Sequence, residues 1–256
     1  MTVTHSILLF VAALMAGGLN SVAGGGSFFS FPALLFTGVL PIPANATSAL
    51  AVWPGSLASA WAYRKRLPRR LRLLLPLIAA SLLGGLVGAT LLLHTPQSSF
   101  IRLLPFLFLG ATALFAYGKR LAGFFGAHGP HPADPTWLWI TLVSLVQMVI
   151  AVYGGYFGGG MGIMMLALLS LLPLGDVHGM NGVKALLAAS ANGVAITTFI
   201  LAGIILWPQA LLMTVGAMLG GFTGAHFAQK FNPGKVRWLV VVVGTAMSVY
   251  FFWRYR

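Results

Sequence analysis

"LNSVAGGGSFFSFPALLF" runs from Leu19 to Phe36, inside an apolar stretch that begins at Ile7 and lasts to about Val39. Three consecutive glycines, Gly24, Gly25 and Gly26, interrupt it, with Asn20, Ser21 and Ser27 on their flanks. Each glycine costs roughly 1 kcal/mol against alanine in a helix interior. The chain thus breaks an apolar helix partway along and places polar groups at the break.

The composition decides which solvent surrounds that break. Hydrophobic residues make up 59% of the 256 positions and charged residues 7%, with a mean hydropathy of +0.93. Apolar stretches long enough to span a bilayer recur along the whole chain. The first is too long for a signal peptide and lacks a basic leading region and a small-residue cleavage site. It reads as a retained part of the fold. There is no cysteine, which excludes disulfides, thiolate catalysis and sulfur-ligated metals. The net charge of +13 fits cytoplasmic loops and lipid headgroups better than nucleic acid.

Eight long apolar segments are expected near 5–23, 43–63, 73–94, 101–118, 137–153, 182–204, 208–229 and 237–253. Two short ones, near 27–38 and 159–172, are too short to cross about 30 Å of hydrocarbon comfortably at 1.5 Å per residue. The expectation is an all-α integral membrane protein, one transporter-like domain over 1–256. The widest polar loop, "GKRLAGFFGAHGPHPADPTW" at 118–137, forms the seam. It divides a first repeat, 1–118, from a second, 135–256, through a linker at 119–134.

The repeat is legible in the residues. "AGGGSFF" at 23–29 resembles "FGGGMGI" at 157–163, and "LLGGLVGAT" at 82–90 resembles "MLGGFTGAH" at 218–226. "PANATSAL" at 43–50 lines up with "GMNGVKAL" at 179–186. Loop charges reverse between the copies. "YRKRLPRRLR" carries six cations and its counterpart "LAGIILWPQ" none, whereas "HTPQSSFIR" carries only Arg102 and "QKFNPGKVR" carries Lys230, Lys235 and Arg237. Positive loops mark the cytoplasmic side, so the repeats are expected to be inverted. Both termini then fall outside, although Arg254 and Arg256 argue mildly against this.

Inverted repeats with broken helices suit a secondary transporter. Non-helical backbone at membrane depth is tolerated where it lines a protein-buried or watery cavity. Glycine lets a ligand approach the main chain, and the short helices that follow offer N–H groups and a positive dipole end to an anion. Close helix packing is the plainer use of Gly24–Gly26 and Gly158–Gly160, and recurrence in both halves counts against it. Asn45, Ser48, Ser56 and Ser59 share one stripe of the following helix. Asn181, Lys184 and Asn192 share the matching stripe. Lys184 reads equally as a snorkelling anchor or as a substrate contact. Gly84, Gly85, Gly88, Gly216, Gly220 and Gly224 read as packing faces, with Ser81 beside them. His128 and His131 make no metal site, and no cofactor is expected. Asp134 and Asp176 lie at segment ends and leave no carboxylate relay. A proton, if coupled, would travel on the substrate or on His226. No catalytic constellation or phosphate-binding loop is present, so no enzyme is expected.

"AGGLNSVAGGGSFFSFPALLFTGVLPIPANATSALAVWPGSLAS" and "YGGYFGGGMGIMMLALL…MNGVKALLAASANGV" resemble the two repeat motifs of the TauE/SafE sulfite exporter family, also called TSUP. The resemblance covers nearly the whole chain. It implies a plasma-membrane transporter (bacterial inner membrane in a prokaryote) for a small sulfur-containing or organic anion such as sulfite or a sulfonate, with export as the named direction. The family's second motif commonly has a basic residue where Lys184 stands. The expected substrate site comprises Asn20, Gly24, Gly25, Gly26, Ser27, Asn45, Ser48, Gly158, Gly159, Gly160, Lys184 and Asn192. Its partners are the anion and the lipid bilayer; nucleic acid is not expected, and a homodimer stays open. An anion channel or a non-transporting membrane scaffold are the rival classes.

Overall fold

The computed structural model describes the backbone of residues 2–22, 25–68, 70–126, 135–174, 177–227 and 233–254. Side chains at 21–22, 59, 66, 118–126, 177–178, 224–227 and 233–237 are not described. Gly24, His128, His131, Asp134, Asp176 and Lys230 therefore lie outside the described residues, as do the side chains of Ser59, His226, Lys235 and Arg237.

Among the described residues there is helix and no strand. In chain order the helices are α1 (Val3–Val22), α2 (Ser27–Phe36), α3 (Pro41–Ala62), α4 (Leu71–His94), α5 (Gln97–Gly126), α6 (Trp137–Tyr156), α7 (Met161–Leu169), α8 (Val177–Leu201), α9 (Trp207–Phe227) and α10 (Pro233–Arg254). A short 3-10 turn, Arg64–Arg66, sits between α3 and α4. Among the described residues, five stretches are long and apolar enough to cross a membrane: Val3–Asn20, Leu71–His94, Gln97–Tyr117, Trp137–Tyr156 and Gly179–Leu201. Ser27–Phe36 and Trp238–Arg254 are shorter apolar helices.

The starts and stops have local causes. Pro41 opens α3, where its missing N–H costs nothing. Thr136 caps α6 by accepting the Trp139 N–H at 3.3 Å. α5 runs through Lys119 to Gly126, into the stretch read from sequence as loop. Lys119, Arg120, Leu121 and Ala122 are good helix formers, and the breakers Gly129, Pro130 and Pro132 come only afterwards.

Packing follows small residues. The Leu14 carbonyl of α1 lies against Gly220 of α9, and the Met148 carbonyl of α6 lies against Gly84 of α4, each too close to admit a Cβ. Phe10 likewise meets Gly216, and Val152 meets Gly88. Contact positions rise together in both pairs, so α1 runs parallel to α9 and α6 parallel to α4. α3 runs antiparallel to α8, since Trp53 bonds to Ala189 while Tyr63 meets Gly182. α5 runs antiparallel to α10, with Thr112 against Gly244 and Phe106 against Phe252. α3 packs on α9 and α4 packs on α8.

The core has two parts. An aromatic cluster joins α2 to α5, α10 and the end of α6: Phe108 stacks on Phe31 at 5.9 Å and on Phe251 at 5.7 Å, and meets Phe157 edge-on at 5.4 Å. An aliphatic cluster joins α4, α6, α7 and α8 through Leu77, Val143, Met165 and Leu187. Ser81, beside the glycines of the α4 packing face, has a polar role as well. It is fully buried, donates to the Leu77 carbonyl at 2.8 Å and accepts the Gln147 amide at 2.9 Å.

Candidate functional site

Left-handed backbone marks both glycine breaks. Gly25 has φ +89° and Gly160 has φ +79°, in the left-handed region that a side chain disfavours. Asn20, at the end of α1, accepts the Gly26 N–H on its Oδ1 at 2.7 Å, so the polar residue before the break holds the residue after it. At the second break Tyr153 performs a related task from α6, donating its hydroxyl to the Gly159 carbonyl at 2.6 Å. α2 starts one residue beyond Gly26 and α7 one residue beyond Gly160.

The helix starts are less open than the sequence implied. The N–H groups of Phe28 and Phe29 bond back to Gly25 and Gly26 at 3.0 Å, and those of Met161 and Ile163 bond to Gly158 and Gly160 at 3.3 and 3.0 Å. These three-residue-back bonds absorb donors that a regular helix end leaves free. The Ser27 N–H and hydroxyl form no hydrogen bond among the described residues.

Ser27, Asn45, Gly158 and Asn192 line one cavity of about 40 Å³, together with Phe157 and Phe199. It lies where the start of α2, α3, the end of α6 and α8 meet. Each half of the chain contributes to it. The size suits one or two small polar groups. Asn45 donates to the Tyr156 carbonyl at 3.1 Å, which fastens α3 to the end of α6 and leaves its amide oxygen without a partner among the described residues. The Asn192 side chain forms no hydrogen bond among the described residues. The wall thus holds two neutral amides and a serine beside apolar rings, and no carboxylate.

The other expected residues stand around this cavity. Ser48 is buried and shares a hydrogen bond of 2.6 Å with Ser30 of α2. Lys184 donates to Asn181 Oδ1 at 3.0 Å and lays its aliphatic stem beside Gly162 in the first turn of α7. It borders the second break from the α8 side and does not line the cavity. A Cβ on Gly25 would strike the Phe115 ring, and one on Gly159 would meet Phe157. Phe115 fills the space beside Gly25, and Phe157, which also lines the cavity, stands beside Gly159. Gly154, Gly155 and Phe157 line the cavity but were not singled out from sequence, although "YGGYFGGG" contains them. Phe199 also lines it, from a turn of α8 with no distinguishing local pattern.

Residues 9–251 match the family described as sulfite exporter TauE/SafE. The chain is 33% identical over 246 residues to "Probable membrane transporter protein ORF9" of Sinorhizobium sp, covering 94% of this chain and 90% of that protein. It is 27% identical over 241 residues to "Probable membrane transporter protein YfcA" of Escherichia coli strain K12, covering 94% and 87%. A "Probable membrane transporter protein" of Haemophilus influenzae is 29% identical over 246 residues, covering 94% and 92%. No solved structure matches significantly. With five helices among the described residues long and apolar enough to cross a membrane, the chain is a multi-pass membrane protein. A match over nearly its whole length shows that it belongs to the TauE/SafE sulfite exporter family.

Proposed function

We propose that this protein is a secondary transporter that moves a small sulfur-containing or organic anion, such as sulfite or a sulfonate, across the plasma membrane by alternating access, with export as its direction. The observation that carries the reading is the cavity beside the two glycine breaks, lined by Ser27 and Asn45 from one half and Gly158 and Asn192 from the other. Its donors are neutral and its wall has no carboxylate, which favours an anion held by N–H and O–H groups. Lys184, bordering the second break, adds a positive field from outside the cavity.

The two-repeat reading, 1–118 and 135–256 about a linker at 119–134, has support in the packing. Exchange α1 with α6, α3 with α8, α4 with α9 and α5 with α10, and the contacts of α1 on α9 and α3 on α9 become those of α6 on α4 and α8 on α4. The antiparallel α3–α8 and α5–α10 pairs favour inversion. On this reading α3, α9 and α10 also cross the bilayer, giving eight long spans, while α2 and α7 are the short broken helices. Rocking one half against the other would expose the shared cavity first to one side and then to the other.

Uptake into proteoliposomes, measured across sulfite, sulfate, sulfonates and carboxylates, tests this. Saturable uptake of one anion class is the expected result. Flux that rises linearly with concentration would make the protein a channel, and no flux of any anion would make it a scaffold.

A further inference from the structure

One end of the α5–α10 pair carries a cationic, aromatic groove remote from the cavity residues in both sequence and helix membership. Because the helices are antiparallel, Arg102 near the start of α5 and Arg254 at the end of α10 reach the same end of the pair. Between them, Pro105 and Phe106 of α5 and Val249, Phe252 and Trp253 of α10 line an open groove of about 690 Å³, with Arg102 on its wall. Phe106 meets Phe252 edge-on at 5.1 Å. Phe106 is 60% exposed and Trp253 84%, so the groove opens outward from the helix bundle. The Arg102 guanidinium is exposed and has no hydrogen bond or ion pair among the described residues. Arg254 lies 6.0 Å above the Tyr250 ring.

We propose that this groove binds an anionic phospholipid, with the phosphate on Arg102 and the first methylenes of an acyl chain against Phe106, Val249 and Phe252. Tryptophan and arginine at a helix end mark the headgroup level of a bilayer. There a guanidinium is best satisfied by a phosphate, which it can bind in bidentate fashion. The lining residues span only five positions on each helix, 102–106 and 249–253, roughly 6 Å along the axis, which fits the glycerol end of a lipid. The apolar walls disfavour a free inorganic anion. A second copy of the chain is disfavoured too, since a two-fold contact here would set Arg102 and Arg254 against their own copies.

The test is thermal unfolding of delipidated protein in detergent, with dioleoyl phosphatidylglycerol or dioleoyl phosphatidylcholine added in mixed micelles. Phosphatidylglycerol should raise the Tm by about 5 °C at saturation, and phosphatidylcholine, whose own ammonium competes for the phosphate, by clearly less. Arg102→Gln should lose most of the phosphatidylglycerol-specific rise. Arg64→Gln, a cation that instead packs over Trp61, should keep it. If Arg102→Gln folds poorly, Val249→Ser on the exposed groove wall should show the same loss. Equal responses to the two lipids, or a full response in both groove variants, would overturn the proposal. So would a dimer in size-exclusion chromatography that Phe106→Glu converts to monomer, which would assign the groove to a second copy.

Discussion

The Trp53 indole of α3 donates to the Ala189 carbonyl of α8 at 3.0 Å, joining residues 136 positions apart. That spacing also separates Asn45 from Asn181 and Ser56 from Asn192 in the sequence. On the two-repeat reading the bond links equivalent positions of the two matching segments, where two antiparallel helices cross. Gly193 lies against the same indole, with a Cβ there standing 3.2 Å from the ring.

Trp53→Phe keeps the ring at this crossing and removes the donor. It should cost about 1 kcal/mol, seen as a Tm lower by roughly 2–4 °C. An unchanged Tm would mean that the crossing is held by ring packing alone.

The Ser81–Gln147 pair gives a sharper stability test. Ser81→Ala leaves the buried Gln147 amide without its partner, and Gln147 Oε1 already has none among the described residues. The single change should lose roughly 1–3 kcal/mol. Adding Gln147→Leu removes the stranded polar group and should restore most of that loss. Chemical or thermal unfolding of the two variants decides this, and a double variant weaker than Ser81→Ala would contradict it.

Gly84 and Gly220 should respond alike. Alanine at either pushes into a carbonyl of the neighbouring helix, and overpacking of this kind costs roughly 1–3 kcal/mol. Tolerance of Gly84→Ala together with collapse of Gly220→Ala would argue against equivalent α4–α6 and α1–α9 contacts.

The breaks were legible because three glycines inside an apolar run have few structural uses, and the structure bounds α2 and α7 close to the segments read at 27–38 and 159–172. Asn45 and Asn192 stand out in the sequence as polar positions on helix stripes, and Ser27 and Gly158 as parts of the two glycine breaks. The pairing of Ser81 with Gln147 was not legible, since the two are 66 positions apart and no local period links them. The surroundings of Gly25 were hidden for the same reason: the ring beside it belongs to Phe115 of α5. A leucine at Gly25 or Gly159 would thus disturb the aromatic cluster, which makes both poor probes of ligand binding.

Lys184→Ala should weaken anion binding by about tenfold, the loss of one nearby positive charge. Lys184→Arg should keep part of the affinity, because the charge remains while its geometry changes. Calorimetry on folded protein with the transported anion reads both. Normal affinity in Lys184→Ala would make this lysine an anchor for α8 against α7.

Transport by Asn192→Asp, compared with Asn192→Ala in proteoliposomes, tests the central claim most directly. Asn192 lines the shared cavity with a side chain that has no partner among the described residues, so aspartate changes charge at nearly constant shape. For the anion that the wild type takes up, Asn192→Ala should retain reduced, saturable uptake and Asn192→Asp should lose uptake almost completely, with both proteins folded. Uptake by Asn192→Asp equal to or above that of Asn192→Ala would show that no anion passes through this cavity.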